Sequence, residues 1–375
     1  MPTEIIFGAG LIENLGRIVR ERLHARRPFL VTDRGIIEAG IAGQVTSALA
    51  EIPVFDEVEQ NPKHTTVDRG GEDARALKPD LVIGLGGGSA LDAAKAISLL
   101  ATNPGRIEDY EGRERYTTPP LPVLAVPTTC GTGSEVTWVS VITHTGRKFK
   151  MSIKGPLLYP AVALVDPDLL RTLPQPLVAS TGLDALTHAI EAYTAKPASF
   201  LTDTLALAAF RLIFHHLPRA YGDIRKNRED REGLMLGSLI AGTAFGNSDV
   251  GAVHCLAESV GSLYDTPHGV ANAVFLPSVI EFNLEVAADK YAKIATAAGI
   301  EAESRDAAAR ALIQEIRKLS RAMSVPSFAD LGIPERDFAL IAQKSFENNS
   351  NPSNARAATS NDYLDILWLL SRSKS

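Results

Sequence analysis

DLVIGLGGGSALDAAKAI (residues 80–97) decides the fold. Its first half is an apolar run, rich in Val and Ile, that reads as a buried strand ending near Leu85. Gly86, Gly87 and Gly88 make a turn. Ser89 then caps a helix that carries Asp92 in its first turn. Working outward, PFLVTD (28–33), IPVFDEV (52–58), LPVLAVPTT (121–129), WVSVIT (138–143) and AVALVDP (161–167) are further strand candidates. Helical patterns such as ALDAAKAISLLAT (90–102) lie between some of them. Such alternation predicts a Rossmann-like parallel sheet with helices on its faces. After about residue 172 the strand signals stop, and segments such as FLTDTLALAAFRLIFHHLPRAYGD and SRDAAARALIQEIRKLSRAM read as helix. TLPQP (172–176) is the natural hinge, giving an α/β domain over 1–173 and an all-helical domain over 174–375. Ligand sites favour domain interfaces, so the active site is expected in a cleft between the two.

The glycine turn has chemistry of its own. Glycines let backbone amides approach a ligand, and the helix that follows offers free N–H groups and a positive dipole end to a pyrophosphate. A second loop, VPTTCGTGSEVT (126–137), also follows a strand and should lie at the same carboxyl edge of the sheet, where open α/β sheets bind ligands. Thr128, Thr129 and Thr132 supply hydroxyls there, although a Thr-rich turn has the same composition. Asp33 ends the first strand candidate. It is a common turn residue, and it is also a carboxylate that can accept from a ribose and repel a 2′-phosphate.

In the helical half, GLDALTHAIEAY (182–193) places Asp184 and His188 four residues apart on one helix face. The pair either satisfies itself beside a core stripe or ligates an ion. GAVHCLAESVGSLYDTPHGVANAVFLP (251–277) breaks the tie. It puts His254 on a helix running to about Leu263 and His268 in a turn, DTPHG. Three imidazoles and one carboxylate suit Zn²⁺ or Fe²⁺. The remaining histidines read as bystanders: His215 and His216 at the surface, and His24, His64 and His144 in polar contexts without partners.

Composition narrows the class. A net charge of −6 argues against a nucleic-acid binder. Two cysteines, Cys130 and Cys255, cannot build a disulfide framework. MPTEIIFGAG lacks the pattern of a signal peptide, and no apolar run approaches a membrane span. The expectation is a soluble cytoplasmic protein that engages neither membrane nor nucleic acid.

FGAG, GGGSALDAAK, PTTCGTGSEVT, LVDPDLL, GLDALTHAIEAY, HCLAESVGSLYDTPHGVANA and NPSNARAATSNDYLDIL together resemble the iron-containing (group III) alcohol dehydrogenases, essentially end to end. The resemblance implies a dinucleotide-binding N-terminal domain and a helical metal-binding C-terminal domain, an architecture shared with dehydroquinate synthase. It implies Asp184, His188, His254 and His268 as the metal ligands, with Fe²⁺ or alternatively Zn²⁺ as the ion. Gly86, Gly87, Gly88 and Ser89, with Asp92 behind them, match the pyrophosphate loop. Thr128, Thr129 and Thr132 match the nicotinamide-side loop, Asp33 the adenosine-ribose carboxylate, and Lys150 a lysine near the cofactor ribose. Two positions depart from the pattern. Glu258 stands where the family often has a histidine, four residues after His254, and Cys130 stands where it commonly has a small residue.

The implied chemistry is hydride transfer between NAD(H) and a small alcohol or aldehyde, with His268, Glu258 and Lys150 as candidate catalytic residues. On the same helix as His254, Glu258 is expected near the metal, where it would relay a proton or orient a ligand. Trp138, Phe149 and Phe245 are candidates for an apolar pocket wall. The resemblance further implies a homodimer or higher homo-oligomer. The other readings are a zinc-dependent, glycerol dehydrogenase-like enzyme, a dehydroquinate synthase-like lyase, and a non-catalytic dinucleotide sensor.

Overall fold

The computed structural model describes residues 2–49 and 52–372. They form two compact units. The first runs to Thr129 and resumes over Gly133–Leu173; the second takes Cys130–Thr132 and the chain from Pro174 onward. The middle of the second glycine loop therefore belongs with the helices, which a single cut near residue 173 misses.

The first unit contains β1 (Glu4–Phe7), β2 (Pro28–Val31), β3 (Val54–Phe55), β4 (Leu81–Gly86), β5 (Gly112–Arg113), β6 (Val123–Pro127), β7 (Val139–His144), β8 (Phe149–Lys154) and β9 (Val162–Val165). Its helices are α1 (Leu15–Arg17), α2 (Arg34–Glu38), α3 (Ile41–Leu49), α4 (His64–Leu77) and α5 (Gly88–Thr102). Six strands pair in parallel in the order β1-β9-β6-β4-β2-β3. β4 is buried along its whole length, as a strand covered on both faces must be. Its side chains alternate between two cores. Val82 joins Phe29, Val31, Ile97 and Leu100 on one face. Leu81, Ile83 and Leu85 join Leu30, Leu124 and Val126 on the other. Each such side chain contributes about 1.5–3 kcal/mol of burial, so a one-residue slip of register would be heavily penalised.

Strand order also locates the binding edge. β2 crosses to β3 on one side of the sheet, whereas β4 crosses to β6 on the other. The crevice beyond the carboxyl ends of β2 and β4 is thus the point where the winding reverses, the usual ligand position in such sheets. Asp33 follows β2, and Gly86 to Ser89 close β4.

One expectation is corrected here, and two strands come without a sequence signal. The WVSVIT run is a strand, but it pairs antiparallel with β8 in a separate three-stranded sheet of order β5-β8-β7. The edge strand β1 and the strand β8 carried no apolar run long enough to be read from sequence.

The second unit holds α6 (Gln175–Thr194), α7 (Phe200–Asp223), α8 (Arg228–Phe245), α9 (Ala252–Tyr264), α10 (His268–Ala297), α11 (Arg305–Ala322), α12 (Phe338–Glu347) and α13 (Ser360–Arg372). α6 packs on α7, α8 and α10 and is buried on all sides from Gly182 to Thr194. Its Asp184, His188 and Glu191 lie among Leu183, Leu186 and Ile190. Buried charge of this kind must be paired or must hold a metal. Contrary to the sequence reading, α10 is long and apolar enough to cross a bilayer, but two thirds of its apolar window is buried inside the unit (67%).

Candidate active site

Asp184 and His188 sit one turn apart on α6, while His254 and His268 arrive from α9 and α10. Asp184 Oδ1 lies 3.9 Å from His188 Nδ1, 3.9 Å from His254 Nε2 and 3.8 Å from His268 Nε2. His188 Nε2 and His254 Nε2 are 3.0 Å apart. Ligand atoms at about 2.0–2.1 Å from a tetrahedral ion stand roughly 3.3 Å from one another. With one ligand atom from each, Asp184, His188 and His254 come within 4.8 Å of one another, a set that suits one divalent ion, and His268 approaches it through Asp184. The donor chemistry fits as well. Burial pushes the pKa of His188 down to about 4, against the pull of Asp184, so its imidazole is neutral at pH 7 with a lone pair to give. Burial also disfavours charge on His254, but Glu191 outweighs it and the pKa is raised. The side chains of Asp184, His188 and His254 are 3–5% exposed, whereas that of His268 is 25% exposed. His268 therefore marks the open side of the set.

Behind the ligands stand groups that sequence reasoning missed. Glu191 accepts at Oε2 from His254 Nδ1 at 2.5 Å, and at Oε1 from the Val253 N–H at 2.8 Å. The imidazole is thereby held with its proton on Nδ1 and its Nε2 lone pair turned toward Asp184 and His188. Asn272, one turn beyond His268, reaches the same ligand atoms with its amide nitrogen. Phe245 stacks on His188 at 4.3 Å and 15°. Of the three aromatic wall candidates, Phe245 is the one that stacks on a proposed ligand among the contacts described. Trp138 lies under the Arg113 guanidinium, and Phe149 packs on the sheet's core.

Several local expectations change. His268 is not in a turn but is the first residue of α10, with Pro267 at its N-cap. Glu258 does follow His254 on α9. Its Oε2 accepts from Asn348 Nδ2 at 2.6 Å, and the carboxylate that holds His254 is Glu191. His216 is buried rather than exposed; its Nδ1 meets Asp230 Oδ1 at 2.7 Å, and Arg219 donates to the same oxygen at 2.8 Å. His64 and His144 do have partners. Their rings stack at 4.2 Å, and His144 Nε2 meets Glu108 Oε2 at 2.8 Å. The two rings are only 16° from parallel. With Glu108 they place three potential ligand atoms within 4.8 Å of one another.

In the sheet unit, the two glycine loops meet. The Thr128 N–H donates to the Gly86 carbonyl at 2.9 Å. A Cβ on Gly87 would lie 3.2 Å from Thr129 Cγ2. Gly86 has φ +145°, and a Cβ there would lie 2.7 Å from Ala90 Cβ and 3.1 Å from Asp33 Oδ2, so glycine is required. The N-cap of α5 is Gly87, not Ser89, and no side chain caps it. Its first N–H groups consequently have no intrahelical partner. Asp33 caps α2 by accepting from Ile36 N–H at 3.1 Å, and burial raises its pKa.

Asp92 is engaged by the end of the second loop. It accepts from the Ser134 hydroxyl at 2.6 Å and the Val141 N–H at 3.0 Å, and burial raises its pKa. The fully buried Lys95 donates to Ser134, Thr137 and the Val139 carbonyl. Together they lock the end of the second loop. Lys150 donates to Asn61 Oδ1 at 3.0 Å. Thr132 falls in the helical unit, apart from Thr128 and Thr129. Cys130 is buried, 3.3 Å from the Thr181 hydroxyl, and desolvation pushes its thiol up to about 11, which disfavours the thiolate.

Known proteins supply an independent comparison. A family model described as iron-containing alcohol dehydrogenase matches residues 2–167, and one described as the C-terminal part of the Fe-containing alcohol dehydrogenase family matches 178–370. The chain is 36% identical over 374 residues to the NAD-dependent methanol dehydrogenase of Bacillus methanolicus, covering 98% of each. It is 39% identical over 375 residues to the 1,3-propanediol dehydrogenase of Citrobacter freundii, covering 98% of this chain and 96% of that one. A crystal structure of a 1,3-propanediol oxidoreductase superposes with a TM-score of 0.94 at 38% identity, covering 98% of both chains.

Proposed function

This chain belongs to the iron-containing alcohol dehydrogenase family, and we propose which of its residues carry the family's chemistry. It is an NAD-dependent alcohol dehydrogenase that uses iron, not a lyase or a cofactor sensor. Asp184, His188, His254 and His268 hold the ion, the last from the accessible side where a substrate oxygen can approach. When bound, a divalent ion stabilises an alkoxide and polarises a carbonyl. NAD, when bound, takes or returns the hydride.

The protein's own part is positional. Glu191 fixes the tautomer and plane of His254, and Phe245 fixes the plane of His188. The amides of Gly87, Gly88 and Ser89 take the pyrophosphate at the start of α5. Asp33, turned toward Gly86, takes the adenosine ribose and disfavours NADP. Thr128 and Thr129 shape the nicotinamide side, and Lys150, aligned on Asn61, faces a ribose hydroxyl. The net charge of −6 supports a protein that leaves nucleic acid alone.

The observation that carries this reading is the convergence of Asp184, His188 and His254, whose ligand atoms lie within 4.8 Å of one another, with His268 Nε2 3.8 Å from Asp184 Oδ1. The substrates proposed are short primary alcohols and diols, the class named for the Bacillus and Citrobacter relatives. Anaerobically Fe²⁺-loaded protein should reduce NAD⁺ with methanol, ethanol or 1,3-propanediol, and should lose that activity to a chelator. The same protein tested with glycerol separates the readings. A kcat/KM for glycerol above those of all three would overturn the proposed class and favour zinc-dependent polyol oxidation.

A further inference from the structure

We propose that Asn272 is a positioning residue of the metal centre that acts through Asp184; the inference rests on the four-ligand reading above. Asn272 lies on α10 one turn beyond His268 and has no exposed surface. Its placement begins with Gly269. A Cβ at that position would lie 2.2 Å from the Ser180 carbonyl oxygen of α6. Only glycine lets the two helices come so close, and the close approach brings the Asn272 amide to Asp184.

Asn272 Nδ2 lies 2.6 Å from Asp184 Oδ1, 3.2 Å from His254 Nε2 and 3.2 Å from His268 Nε2. An amide has two N–H bonds, so it cannot serve three acceptors at once. The shortest contact is to the carboxylate, the stronger acceptor, and one N–H is committed there. The imidazole lone pairs are the ones an ion needs, so those two contacts give way on loading while the bond to Asp184 stays. The amide's orientation follows from the same distance. An oxygen in place of Nδ2 would face the Asp184 carboxylate at 2.6 Å with no hydrogen between them.

The other end of the amide is informative. Asn272 Oδ1 is buried and accepts no hydrogen bond among the described residues. A buried carbonyl without a donor is costly, so a side chain serving only to fill this space would be apolar. The donor end is the part that accounts for an amide here. By holding Asp184 Oδ1 from one side, Nδ2 fixes the carboxylate's rotation and leaves a lone pair directed toward His188, His254 and His268.

Asn272→Leu keeps the branched shape, with bulkier methyl groups, and removes the N–H and the orphan carbonyl together. Zn²⁺ affinity of the full chain, measured by chelator competition, should weaken by about 10–100-fold. The thermal midpoint of the metal-free variant should fall, because the buried Asp184 carboxylate loses its donor. Asn272→Ala, which opens space instead, should give the same loss of affinity. Coupling supplies the readout that a packing role would not move. When Asn272→Leu is combined with Asp184→Asn, the loss of Zn²⁺ affinity should fall short of the product of the two single losses. Affinity within about twofold of the parent in both Asn272 variants, or losses that multiply, would overturn the role. His254→Ala, assayed in parallel, tells the two failures apart. Full Zn²⁺ retention there overturns the four-ligand reading itself. Loss of Zn²⁺ there, with normal binding in the Asn272 variants, overturns only the role of Asn272.

Discussion

In the helical unit the atoms proposed to carry function are side chains. Asp184, His188, His254 and His268 extend from three helices, and Glu191 and Asn272 brace them from behind. In the sheet unit the surface proposed for the cofactor is backbone: the amides that begin α5 after Gly86 and Gly87, with no side chain capping them. The two regions should therefore fail differently. A side-chain site is lost with any one ligand. A backbone site ignores most side-chain changes near it and fails when the chain path is disturbed.

The largest effect should come from His254→Ala. It removes a ligand and leaves the buried Glu191 carboxylate without its imidazole partner. Metal content should collapse, and NAD-linked alcohol oxidation should fall by at least ~10³-fold, while the sheet unit stays folded. Elemental analysis decides the matter, since near-full occupancy in the variant would break the side-chain half of the comparison.

Next comes the backbone half. Gly86→Ala puts a Cβ at φ +145° and 2.7 Å from Ala90 Cβ. It should cost about 1–3 kcal/mol of stability and weaken NAD⁺ binding. Ser89→Ala, three residues along on the same loop, should change stability by no more than about 0.5 kcal/mol, because Ser89 caps nothing. Paired thermal melts and NAD⁺ titrations would show whether the loop binds through backbone or through hydroxyls. Equal losses in the two variants would mean the hydroxyl matters.

Asp33→Gly is a smaller and cleaner perturbation. Asp33 is both the N-cap of α2 and the carboxylate beside Gly86. Glycine at an N-cap costs only a few tenths of a kcal/mol, so the change removes charge with little loss of structure. The preference for NAD over NADP, measured as a ratio of kcat/KM, should narrow by about 10-fold. An unchanged ratio would confine Asp33 to capping.

How legible each region was follows from how far apart its parts lie in sequence. Asp184 and His188 could be read because helical spacing puts i and i+4 on one face. Glu191 could have been: it sits at i+7 from Asp184, on the same face and as deeply buried. What hid it is that its partner, His254, lies 63 residues away, and that contact exists only after α9 packs on α6. Asn272 was hidden in the same way, although its i+4 spacing from His268 was in plain view. The central strands showed themselves through continuous apolar runs, since both faces are covered. β1 and β8 did not, because Glu4–Phe7 is an edge strand and Phe149–Lys154 alternates lysine with apolar residues. Asp92 reads as a first-turn residue only if Ser89 is the cap; the helix starts at Gly88, so Asp92 lies beyond the first turn, where Lys95 and Ser134 meet it.

Glu258 should give the smallest effect, and it tests whether the brace around the ligands reaches beyond Glu191 and Asn272. Its spacing from His254 suggests a partner of the metal centre, yet its carboxylate is held by Asn348 at 2.6 Å. What Glu258 offers His254 is charge at a distance, one of the influences that raise the imidazole's pKa behind the larger pull of Glu191. A carboxylate already accepting a short hydrogen bond elsewhere is poorly placed to take a substrate proton. Glu258→Gln keeps the side chain's shape and removes that charge. Metal affinity should therefore fall by less than about 10-fold, below the range for a group that orients a ligand directly. The kcat for alcohol oxidation should stay within about threefold of the parent, and the acidic limb of its pH profile should not move. A fall in kcat approaching 10²-fold with metal content intact would reverse this, making Glu258 the proton relay and α9 the source of both a ligand and a base.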